Sequence, residues 1–175
     1  EITTGEFYHV YNRGVDKRKI FLSEEDYNKF TYLLLLGNDV KPIIYLSSGE
    51  IADRISQRER LVDIVCYCLM PNHFHLLLKQ RVENGIPLFM QKISTGYAMY
   101  FNLKNERSGT LFQGRYKGIH VDRYEYLTHL SRYIHLNPAE MIESGGKESG
   151  IKNLQQVYDY VKNYKWSSYT NYLNR

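Results

Sequence analysis

At 175 residues the chain can bury one proper hydrophobic core but is too short for two, so one domain over residues 1–175 is expected. Hydrophobic residues at 43% and charged residues at 24% exclude a disordered chain, and no apolar run reaches membrane-spanning length. A net charge of +4 permits a polyanionic partner without demanding one.

In chain order, Phe7 to Asn12 (FYHVYN) alternates as an aromatic-rich strand, and Arg13-Gly14 opens a basic turn through Asp16, Lys17, Arg18 and Lys19. Ser23 followed by Glu24, Glu25 and Asp26 predicts a helix start, since acidic side chains complement the positive end of the helix dipole. Tyr27, Phe30, Leu33 and Leu34 then recur at helical spacing until Gly37. Residues 38–60 read as an excursion, with a short apolar run at Ile43 to Leu46 and a short helix near Glu50 to Gln57.

Val62 to Leu69 is nearly continuously apolar, as in a central strand, and Pro71-Asn72 turns it back into a second strand to form a hairpin. Ile86 to Leu103 predicts a long helix with a stripe of Leu88, Phe89, Ile93, Tyr97 and Tyr100. Gly109 to His120 is a glycine-bounded basic and aromatic stretch carrying Gln113, Arg115, Tyr116 and Lys117. Asp122 is placed to cap a third helix that Pro138 stops. A further helix is expected at Leu154 to Tyr164, before the sole tryptophan, Trp166. This order predicts an α+β sandwich: a mostly antiparallel sheet with helices packed on one face and the active site on the other.

The most informative stretch is MPNHFHLLLKQ, Met70 to Gln80. Side chains at i and i+2 leave the same face of a strand, so His73 and His75 reach one point in space while Phe74 and Leu76 pack behind them. Two imidazoles on a rigid strand make half of a metal site; the alternative is two ordinary polar residues on an open sheet face. On the third helix Leu127, Leu130 and Ile134 share an apolar stripe, with Tyr133 and Asn137 four residues apart at its edge. Asn137 would add a hard oxygen to two imidazoles, a set suited to Mg2+ or Mn2+, and Tyr133 would be the nucleophile. Without the histidines, Tyr133 reads as the edge of the stripe and Asn137 as a helix end forced by Pro138.

Five blocks together carry a resemblance: YHVYNRG (Tyr8 to Gly14), CLMPNHFHLLL (Cys68 to Leu78), LFQGRYKG (Leu111 to Gly118), RYIHLNP (Arg132 to Pro138) and WSSY (Trp166 to Tyr169). In this order they resemble the single-tyrosine HUH transposases, most of all the branch called REP-associated tyrosine transposases. The resemblance implies a ferredoxin-like fold and divalent-metal-dependent cleavage and rejoining of single-stranded DNA, often beside a hairpin. It also implies a tyrosine that stays joined to the 5′ side and releases a 3′ hydroxyl. Matched by motif, His73 and His75 are the metal ligands, Tyr133 the nucleophile and Asn137 the third, helical ligand. Some relatives dimerise, so a homodimer with a shared site is compatible with the sequence.

Arg13, Lys17, Arg18, Gln113, Arg115 and Lys117 are candidate DNA contacts, with Tyr116 and Trp166 as stacking partners. The 17 tyrosines beside 7 phenylalanines suit such stacking, or half-buried packing. His129 lies one helical turn before Tyr133 and could assist it, whereas His135 projects away from it. One rival is a structural zinc site of Cys66, Cys68, His73 and His75 in a non-catalytic nucleic-acid-binding protein, although the one-residue gaps depart from zinc-finger spacing. The paired cysteines are too close for a usual structural disulfide, which fits a reducing compartment. With no secretory pattern at the N-terminus, a cytoplasmic protein is expected.

Overall fold

The computed structural model describes residues 2–44, 47–143 and 153–173, apart from the side chain of Ser48. Its centre is a four-stranded sheet of β1 (Phe7–Arg13), β2 (Val62–Met70), β3 (His73–Gln80) and β4 (Lys117–Val121), in spatial order β2-β3-β1-β4. Every neighbouring pair is antiparallel. With α1 (Glu24–Leu36) between β1 and β2, and α3 (Gly85–Lys104) between β3 and β4, the order is the βαββαβ arrangement of a ferredoxin-like sandwich. The excursion between α1 and β2 holds α2 (Ser48–Gln57), close to its expected place; the end of the apolar run predicted at Ile43 to Leu46 lies outside the described residues.

The period of two along each strand sorts its side chains between two cores. Tyr8, Val10, Phe74, Leu76 and Leu78 join Phe30, Leu33, Phe89, Ile93 and Tyr97 of α1 and α3 on the first face. His9, His73, His75 and Leu77 therefore point to the second. There α4 (Tyr124–Leu136) lies over β2, and Leu130 and Ile134 close a smaller core with Cys66, Cys68, Met70 and Leu77. A register shift between Ile64 and Cys66 sets both cysteines on this face, with Cys68 opposite His75.

The helix ends follow their local chemistry. Asp26 accepts the backbone N–H groups of Leu22 at 2.7 Å and Ser23 at 3.1 Å, so the acidic first turn expected for α1 also caps it. Asp122 does not cap α4: Arg123 holds the N-cap position and its side chain makes no capping bond. At its other end α4 passes at Asn137 into a 3-10 turn, Asn137–Met141, because Pro138 can donate no backbone hydrogen bond. The C-terminal elements α5 (Leu154–Asn163) and α6 (Tyr169–Leu173) flank a segment that covers the β2 edge. There Leu69 N–H donates to Trp166 O at 2.8 Å and Ser168 N–H to Tyr67 O at 3.0 Å, protecting an edge that would otherwise pair with another chain.

Candidate active site and nucleic-acid interface

The hairpin turn that presents His73 is fixed from three sides. Pro71 O accepts from Ile20 N–H at 2.8 Å and Phe21 N–H at 3.1 Å, Asn72 O accepts from Gly14 N–H at 2.8 Å, and Asn72 Nδ2 donates to Lys17 O at 3.3 Å. Gly14 has no substitute here, since a Cβ would lie 2.2 Å from Arg18 O. The remaining amide atom, Asn72 Oδ1, can only accept, so the 2.7 Å contact with His73 Nδ1 requires the proton on Nδ1. In the neutral tautomer with that proton, the lone pair lies on Nε2.

His75 is oriented in a comparable way by a residue to which the sequence reading gave no role. His9 Nε2 lies 2.8 Å from His75 Nδ1, with the rings stacked at 5.0 Å. Burial pushes the His9 pKa down to about 4, so at neutral pH His9 is a neutral ring that holds His75 through Nδ1. The ring centroids of His73 and His75 are 5.0 Å apart. The signal for His9 was present in the alternation of FYHVYN, but it becomes legible only once β1 is known to pair with β3, placing Tyr11 opposite His75.

Tyr133 projects from α4 over these rings, with its centroid 5.7 Å from His75 and 6.4 Å from His9, both edge-on. It is 40% exposed, open enough to meet a macromolecular substrate. A cavity of about 470 Å³ separates α4 from the sheet, and His9, Tyr11, His75, His129 and Tyr133 all line it. One chain thus brings the tyrosine to the histidines. Asn137 is buried at the foot of α4, where its Nδ2 donates to Tyr133 O at 2.8 Å. This ties Asn137 to the turn that carries Tyr133 and leaves Oδ1 as the atom able to ligate.

A second cavity of about 470 Å³ adjoins the first at Tyr11 and gathers most of the DNA-contact candidates around His73: the basic Arg13, Lys17, Arg115 and Lys117, with Gln113. The turn at Gly14 and the loop before β4 are stitched together, Val15 N–H donating to Leu111 O at 2.9 Å and Gln113 N–H to Arg13 O at 2.8 Å. The Arg13 Nε–H also donates to Gln113 Oε1. Three candidates lie elsewhere. Arg18 is 3.6 Å from Asp16 and bonds Val15 O; Tyr116 packs against the first core; and Trp166 stacks on Tyr27 at 4.5 Å between the two cores. An indole held between cores is occupied by packing, so the stacking surface expected of Trp166 is absent from the groove.

His135 does point away from Tyr133, as its helical position requires. Its Nε2 lies 2.9 Å from Ser168 Oγ, burial pushes its pKa down to about 4, and the rings of Tyr169 and Tyr172 enclose it. The zinc rival loses its geometry: Cys66 and Cys68 are fully buried beneath Leu130 and Ile134. Burial pushes both thiols upward. Among the described residues no three His, Cys, Asp or Glu side chains gather as a metal site, and no helix is long and apolar enough to cross a membrane.

A sheet of this kind is matched among known families. The model of the IS200-like transposases matches residues 42–137, just over half of the chain. The protein belongs to that family of DNA transposases. Among solved structures it is similar to a REP-associated tyrosine transposase bound to a REP hairpin, with a TM-score of 0.65 and 15% identity over 100% of this chain and 83% of that one. A putative transposase from Deinococcus radiodurans aligns with a TM-score of 0.43 and 16% identity over 73% of this chain and 87% of that one. No curated protein matches significantly.

Proposed function

We propose that the protein cleaves and rejoins single-stranded DNA beside a hairpin, through a covalent 5′-phosphotyrosine at Tyr133. The observation that carries this reading is the 5.7 Å approach of the Tyr133 ring to His75 within a single chain. The likeness to a hairpin-bound transposase supports the choice of substrate.

The donor set fits a divalent cation. Asn72 and His9 occupy the Nδ1 atoms of His73 and His75, and Asn137 Oδ1 would be the third ligand, a mixed nitrogen and oxygen set suited to Mg2+ or Mn2+. Such an ion supplies Lewis-acid polarisation of the scissile phosphate when bound. The chain's own residues do the rest. Arg13, Lys17, Arg115 and Lys117 neutralise backbone phosphates along the groove, and Gln113 keeps Arg13 in place. Tyr133 Oη bonds to phosphorus as the P–O3′ bond breaks; the phenol proton leaves to water, and the departing oxygen is protonated to a 3′ hydroxyl. Because the phosphotyrosine conserves the phosphodiester bond energy, attack by a 3′ hydroxyl restores the strand without a nucleotide cofactor.

Incubating the protein with a 5′-labelled and a 3′-labelled single-stranded hairpin DNA and Mn2+ tests this. The wild type should yield a protein–DNA adduct resistant to denaturation that retains the label 3′ of the break, and Tyr133→Phe none. Equal adduct from both would remove Tyr133 from its role.

A further inference from the structure

A third cavity, of about 520 Å³, lies on the other side of the loop that precedes β4. It borders the basic groove directly, because Asn12 and Arg115 line both. The partition is built rather than accidental: Asn12 Nδ2 donates to Gly114 O at 3.1 Å, its Oδ1 accepts Arg13 N–H at 2.9 Å, and Gly114 takes a positive φ of 73° that L side chains disfavour.

The chemistry changes abruptly across that partition. The groove is cationic, but the third cavity has apolar walls from Pro87, Leu88, Met90 and Phe112, and among the described residues its only charged member is the shared Arg115 at the rim. Helix α3 adds the amide of Gln91 and the hydroxyl of Ser94, and its N-cap residue Asn84 adds a second amide that caps no backbone group of the helix. Tyr116, also on the wall, has a buried hydroxyl with no hydrogen-bond partner among the described residues. Folding leaves few buried hydroxyls unpaired because each costs free energy, so such a group beside a cavity suggests a ligand that pairs it. The Arg115 guanidinium lies 5.5 Å from the Tyr116 ring centroid and covers the same rim.

We propose that this cavity receives one unpaired nucleobase of the strand whose phosphates lie in the groove. A neutral, flat ring with polar edges fits apolar walls closed by amides, and its covalent link to a polyanion accounts for a neutral pocket opening beside four cations. This rests on the reading of the groove as a single-strand track. Arg115 stands at the crossing, where a base leaves the backbone path, and Gln91 and Asn84 are placed to read its edge.

The test compares ten-nucleotide dA, dC and dT strands with a ten-unit abasic phosphodiester strand, using fluorescence anisotropy without divalent cation. Wild type should bind at least one base-bearing strand about tenfold more tightly than the abasic one. Ser94→Phe, which fills the cavity, and Gln91→Ala, an exposed change that spares the fold, should each lower that preference about fivefold while leaving abasic binding unchanged. A wild type that binds all four strands alike overturns the base pocket alone, as do variants that weaken every strand equally. A wild type that binds none removes the groove reading and this proposal with it.

Discussion

His9 is spent on holding another ring. Its 2.8 Å bond to His75 Nδ1 fixes the orientation of the His75 ring, and outer partners of this kind commonly govern metal affinity by about 10- to 100-fold. His9→Ala should therefore weaken Mn2+ binding by about tenfold or more, measured by electron paramagnetic resonance titration of the DNA-free protein, and His9→Asn, which can still bond Nδ1, should recover part of it. Unchanged affinity in His9→Ala would reduce His9 to packing. The same logic separates residues that the motif alone could not: His73, His75 and His135 all lie in recurring blocks, but only the first two share a sheet face with Tyr133, while His135 binds Ser168 on the far side of α4. Helical angle showed that His135 points away; what it meets there was not readable, because Ser168 lies 33 residues further on.

Between elements, the joint with the clearest electrostatic signature is that of α1 with α3. Asp26 is fully buried, and besides capping α1 its Oδ1 accepts from Lys104 Nζ at 2.8 Å and Tyr100 OH at 3.2 Å. Burial pushes the Asp26 carboxyl up, but the Lys104 ammonium and the Leu22 and Ser23 N–H groups outweigh it, and the net shift is downward from the usual carboxylate range. A carboxyl lower in the folded state contributes stability that is fully present above its unfolded pKa of about 4 and is lost as pH falls through the lower, folded value. Asp26→Asn should cost about 2 kcal/mol at pH 7, and its urea midpoint should converge on that of the wild type between pH 4 and pH 2; a gap that widens on acidification would reverse the assignment. The first-turn acids were legible as a helix start, since that signal is local. The partner at Lys104 was not, because no spacing rule connects residues 78 apart.

Across the whole molecule, the alternation of the first three strands and the order of the helices were legible, enough for an α+β sandwich. The ferredoxin-like arrangement followed only from the resemblance of the motif blocks, and β4 lies largely within the stretch read as a flexible basic and aromatic loop. What the sequence hid was register, and register builds the site. Arg13, Lys17, Arg115 and Lys117 read as two separate basic stretches until β1 pairs with β4, Tyr11 opposite Lys117, and closes them around His73. The same closure removes Arg18, which turns to Asp16, and Trp166, which serves the junction of the two cores. This sorting has a thermodynamic readout, because each phosphate neutralised on a single strand releases counterions and contributes about 0.7 to the slope of log K against log salt. Arg13→Gln and Lys117→Gln should each lower that slope by about 0.7 for a single-stranded hairpin end. Arg18→Gln carries the same change in net charge and should leave the slope near the wild-type value. If all three variants shift it alike, binding follows net charge rather than the groove, and the assignment of a single track past His73 to Tyr133 fails.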